Sequence, residues 1–123
     1  MKPGKSGTAR LIDATRYSLR GLRATFRNEA AFRQELLLVA ALFAASFWLQ
    51  THLLEWLLLV VPLFILLIVE LLNTAIETTI DRIGDERHEL SGQAKDMGSA
   101  AVLLALLLIA CVWGTLIWRH FHG

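Results

Sequence analysis

Three apolar stretches leave this chain few folds to choose from. Residues 36–49, 56–69 and 97–118 contain no Asp, Glu, Lys or Arg, and a helix needs about 20 mostly apolar residues to cross a bilayer. The third run, at 22 residues, is long enough by itself, while the first two, at 14 each, must borrow flanking residues to cross. In a chain of 123 residues that is 55% hydrophobic, three such runs exclude an ordinary small soluble domain. The expected fold class is an all-α membrane protein of a single domain, with spans over 34–52, 54–83 and 93–119. Gln50, Thr51, His52 and Glu55 break the apolar character between the first two spans and so predict a tight hairpin. Pro62, inside the second span, is tolerable if neighbouring helices shield the carbonyl it frees.

Upstream of the spans the pattern changes. Over 8–28, Leu11, Ile12, Leu19, Leu22 and Phe26 fall on one side of a helical wheel, with Arg16, Arg20, Arg23 and Arg27 along its flank. This is the pattern of an amphipathic helix lying on a membrane surface, its arginines toward anionic headgroups. Nothing groove-reading or aromatic-interleaved accompanies the arginines, so no nucleic-acid partner is expected. The triplet Gly4-Lys5-Ser6 lacks the preceding glycine and strand of a phosphate-binding loop. No apolar stretch occurs before Leu36, which argues against a cleaved signal peptide, and the single Cys111 has no partner for an intrachain disulfide.

The net charge of +1 hides an asymmetry, since eight of the twelve Lys and Arg residues precede the first span. The hairpin carries none, the second loop three and the C-terminus one. By the positive-inside rule the N-terminal helix and the loop at Gly84 are cytoplasmic, and the hairpin and C-terminus lie outside. Trp48, Trp56, Trp113 and Trp118 are then placed to anchor the spans near the outer interface.

Chemistry concentrates where the second span leaves its apolar run. Glu70, Asn73, Glu77 and Asp81 fall at helical spacing on one face, and the face becomes polar before the run has ended. An acid at the edge of a hydrocarbon slab is costly, so Glu70 is expected to face other protein or to do work; Asp81 reads as simply solvated. Glu70 and Glu77 are about 10 Å apart along the axis, which suits two separate tasks. Glu29 either pairs with Arg33 one turn on or joins Glu77, at the same membrane face, in holding a divalent cation. The stretch from Gly84 to Gly92 reads as a polar loop with His88 solvated, and His52 as a loop residue. Lys95 and Asp96 follow, and the small residues Gly98, Ser99, Ala100 and Ala101 let another helix approach closely. Acids for a hard cation, a lysine for an anion and an apolar wall suggest phosphoryl transfer onto a membrane-borne hydroxyl. The same parts would serve an ion or proton pathway in a non-catalytic membrane oligomer, and the residues alone leave both readings open.

The segments NEAAFRQE (28–35), VELLNTAIETTIDRIG (69–84) and HELSGQAKDMGSAAV (88–102) resemble the signature of the small bacterial integral-membrane diacylglycerol kinases, over nearly the whole chain from about Thr8. The resemblance implies an ATP-dependent lipid kinase that makes phosphatidic acid in the bacterial inner membrane. It also implies three transmembrane helices plus the surface helix, assembled as a homotrimer with shared active sites at the cytoplasmic face. Carried over residue by residue, Glu70 is the general base and Asn73 supports it, while Glu29 and Glu77 bind the Mg2+ that accompanies ATP. Lys95 and Asp96 contact the nucleotide, with Arg10, Tyr17, Glu86, Arg87 and His88 near it. The lipid lies toward Arg10, Glu35, Trp48, Glu70, Ser99 and Trp113. A kinase of undecaprenol or another lipid alcohol is the alternative substrate reading; HELSG and DMGSAAV are more similar to the diacylglycerol group.

Overall fold

A computed structural model describes residues 6–84 and 88–123, and the regular elements among them are all helical. Helix α1 spans Gly7–Asn28, α2 Ala30–Leu49, α3 Leu53–Ile83 and α4 Glu89–His122. The last three are each long and apolar enough to cross a membrane.

Side chains set the helix ends. The α1–α2 joint is a single extended residue, Glu29 (φ −118°, ψ 111°). Arg33 Nη1 donates to the carbonyls of Phe26 at 2.7 Å and Arg27 at 3.1 Å, which α1 leaves without helical partners. Arg33 is thus held by backbone, and the Glu29–Arg33 ion pair weighed from the sequence is not made among the described residues. His52 caps α3, its Nδ1 accepting from the Glu55 backbone N–H at 3.4 Å. His88 caps α4 in the same way, accepting from the Leu90 N–H at 3.1 Å. With His88 as cap and Glu89 favourably placed in the first turn, α4 starts earlier than the expected polar loop allows. Gly92 lies inside the helix rather than closing that loop, and neither histidine is a plain loop residue.

α3 is the central element, with α4 packed along it and α2 beside it, while α1 touches the others only slightly. The contact surfaces follow steps of four and three residues. On α3 the buried stripe is Leu59, Leu63, Leu66 and Glu70, and Asn73 and Glu77 continue it half-buried. Phe32, Glu35, Val39, Leu42, Ser46 and Leu49 form the α2 stripe. Gly98, Val102, Ala105, Ile109, Val112 and Leu116 form that of α4. Such alternation keeps one seam facing the neighbouring helix over many turns. The apolar middle of the three seams makes the core, and at the Glu70 end the seams turn polar.

One tryptophan is not where the sequence suggested. Trp113 is only 5% exposed, and its indole N–H donates to the Leu59 carbonyl at 2.9 Å across the α3–α4 seam. Pro62 removes the N–H that would have bonded the adjacent carbonyl of Leu58. Trp113 instead bonds the neighbouring Leu59 carbonyl as a second donor, and buried in this seam it is a core residue rather than an interfacial anchor. Trp48 and Trp118 are exposed. Trp56 is half-buried and donates to Ser46 Oγ at 3.0 Å, closing the α2–α3 hairpin.

Candidate active site

The polar ends of the three seams meet in one layer. Glu35 comes from α2, Glu70 and Asn73 from α3, and Gly98 from α4. Glu70 is 4% exposed, so its carboxyl is held inside the helix packing and not in bulk solvent. Glu35 and Asn73 are the side chains beside the Glu70 carboxyl. Around this centre Glu77, two turns along α3, and Glu29, at the α1–α2 joint, lie close enough for their charges to act on Glu70.

Acceptors outnumber donors in this layer. Glu35 Oε2, Glu70 Oε2 and Asn73 Oδ1 are all buried with no hydrogen-bond partner. Buried polar atoms are nearly always satisfied, and each orphan costs about 1–3 kcal/mol. Three acceptors left open in one place form a site that is incomplete until it receives a donor, and an alcohol O–H supplies one. Among the described residues no three of His, Cys, Asp and Glu converge on one metal position. Two carboxylates, Glu29 and Glu77, remain, and that number fits Mg2+, which is commonly held by one or two carboxylates together with substrate phosphates and water.

Lys95 stands near this layer, one helical turn before Gly98. Its Nζ donates to Asp81 Oδ1 at 3.0 Å, with the two side chains 43% and 69% exposed. Asp81 is therefore not merely solvated, because it holds the lysine expected at the nucleotide. Asp96 and Ser99 are exposed on α4, and of the four small residues beginning at Gly98 only Gly98 is buried.

The remaining residues are not gathered in the single chain. Arg10 and Tyr17 are exposed on α1, and Tyr17 lies under the Arg20 guanidinium at 5.9 Å. Along α1, Arg10 is about 28 Å from Glu29. Trp48 and Trp113 stand about 20 Å along their helices from the carboxylate layer. Glu86 and Arg87 lie outside the described residues, and His88 is occupied in capping α4. Two participants went unseen in the sequence. Asp81 holds Lys95, and Gly98 makes room for Asn73; the spacing 70, 73, 77 set against 98, 102, 105 was the available signal for the second.

The model of the prokaryotic diacylglycerol kinase family matches residues 16–117. The chain belongs to that family. It is 48% identical over 121 residues to a diacylglycerol kinase of Escherichia coli, covering 98% of this chain and 99% of the relative. It is 49% identical to the Pseudomonas aeruginosa diacylglycerol kinase over 114 residues, or 93% of each chain. The Haemophilus influenzae enzyme is 46% identical over 113 residues, 92% of this chain and 96% of the relative. Apart from Arg10, all the residues named above from Tyr17 to Trp113 fall inside the span matched by the prokaryotic diacylglycerol kinase model.

Proposed function

We propose that the chain transfers the terminal phosphoryl group of ATP to the free hydroxyl of diacylglycerol, giving phosphatidic acid at the cytoplasmic face of the bacterial inner membrane. One observation carries the reading: a buried carboxylate, Glu70, keeps an acceptor oxygen open where an apolar helix bundle turns polar. An alcohol is a weak nucleophile near neutral pH. A positioned base that takes its proton as the new O–P bond forms contributes typically 10²–10⁴-fold. Glu70 Oε2 accepts that proton, and Asn73 holds the carboxyl in place. Glu35, on the α2 side of the same layer, faces the lipid headgroup.

Glu29 and Glu77 would hold the magnesium ion of MgATP, whose chemistry is to neutralise charge on the phosphate oxygens. Lys95 adds a second cation to the same phosphates once it leaves Asp81. Arg10, Tyr17, Glu86, Arg87, His88 and Asp96 are the residues we assign to nucleotide binding alongside Lys95. Arg10, Ser99 and Trp48 lie along the lipid's path, whereas Trp113 is taken up by the α3–α4 seam. The apolar stripe of α1, Leu11, Ile12, Leu19, Leu22 and Phe26, is exposed throughout, which supports α1 lying on the membrane surface. A homotrimer is supported by size, since three spans enclose little volume whereas nine form a lined pocket, and it would bring distant residues such as Arg10 to a neighbour's carboxylate layer.

The test is transfer from radiolabelled ATP in mixed micelles that offer diacylglycerol and undecaprenol separately. Labelled phosphatidic acid is expected. Label appearing only in undecaprenyl phosphate would reject the substrate, and label in neither lipid would reject the activity.

A further inference from the structure

Asn73 shares the layer with Glu70, and its amide has a donor end and an acceptor end on opposite sides. Turning the NH2 toward the carboxyl of Glu70 sends Oδ1 the other way, onto α4. There it meets Gly98, which is buried, and Oδ1 occupies the very space that a Cβ on residue 98 would need. No donor waits for it. The reverse orientation is worse, because it would set the amide oxygen against a carboxylate. A packed notch for an unpaired oxygen is the cost of aiming the donor at Glu70.

We propose that Gly98 is a positioning residue for phosphoryl transfer: its missing side chain holds the Asn73 amide in the one orientation that presents an N–H to Glu70. The proposal rests on Glu70 being the base. A methyl group at residue 98 would strike the Asn73 amide, while the Asn73 Cα, at 3.7 Å, is at ordinary contact distance. The helices therefore need not move apart, since the cheap response is for the Asn73 side chain to swing away. Local geometry at the base would change while the α3–α4 seam stays in place. A misplacement of about 1 Å in a reacting constellation costs up to about 100-fold.

The experiment compares Gly98→Ala, Asn73→Ala and the double variant in full-length protein in micelles, reading kcat, KM for lipid and ATP, and resistance to thermal unfolding. Gly98→Ala is expected to lower kcat by roughly 10- to 100-fold with both KM values within about twofold. The double variant is expected to be no slower than Asn73→Ala, because once the amide is gone the methyl has nothing to displace. Should Gly98→Ala fail to fold, the double variant must fold. Full activity in Gly98→Ala, losses that multiply in the double, or a double that does not fold would each overturn the proposal. Glu70→Gln is measured alongside: if that variant keeps full activity the base assignment fails, whereas non-additivity between 73 and 98 reports their contact either way.

Discussion

Lys95 cannot bind both Asp81 and a phosphate, and the Asp81→Asn substitution measures the competition. The ion pair is short, at 3.0 Å, but both side chains are substantially exposed, so its worth is that of a surface pair, about 0.2–1 kcal/mol. In the proposed reaction this energy is lost when Lys95 turns to the nucleotide, and a neutral residue 81 removes the loss before ATP arrives. Converted at 1.4 kcal/mol per tenfold, KM for ATP is expected to fall by about 1.4- to 5-fold with kcat within about twofold. Because screening weakens exposed pairs, the gap between variant and parent should shrink as ionic strength rises toward 1 M. The assay is initial-rate kinetics at saturating lipid, at low and high salt. An unchanged or higher KM in Asp81→Asn would refute the idea that the acid restrains the lysine, and a salt-independent decrease would mean that it acts by some route other than charge.

Trp113→Phe removes the buried bond from α4 to the Leu59 carbonyl of α3. A loss of about 1–2 kcal/mol is expected in reversible unfolding followed by near-ultraviolet circular dichroism in mixed micelles, and no change would show that bond to be idle. Glu29→Gln and Glu77→Gln should each raise the Mg2+ concentration needed for half-maximal rate by about tenfold or more, the scale of losing one charged ligand; unaltered magnesium titrations would remove these two acids from the metal. Ser46→Ala strips the acceptor from the Trp56 indole and should destabilise by about 0.5–1.5 kcal/mol in the same unfolding assay while leaving KM for ATP unchanged.

The helices and the acid stripe were legible for different reasons. Apolar runs report a solvent, so 36–49, 56–69 and 97–118 announced three spans without any knowledge of packing. Glu70, Asn73 and Glu77 were visible because polar residues on one face are conspicuous inside such a run. The seam itself was hidden, since helices that are apolar on every side carry no amphipathic signal telling the core from the periphery. For that reason Trp113 reads as an interfacial anchor, when the decisive fact is a long-range one: the Leu59 carbonyl lies opposite it. Partner choice was equally illegible. Arg33 takes two backbone carbonyls rather than Glu29, and Lys95 takes Asp81, because each reaches an acceptor brought near by the fold. Gly98 read only as one of four small residues; its meaning depends on the Asn73 amide that lies against it.

The most direct check is the turnover of Glu70→Gln, which keeps the size and polarity of the side chain and removes its ability to take a proton. With the protein folded and its oligomer intact by size-exclusion chromatography, the account predicts phosphatidic acid formation slowed by at least about 100-fold. Turnover equal to that of the unsubstituted protein would contradict it, because the buried oxygen would then have no part in the chemistry.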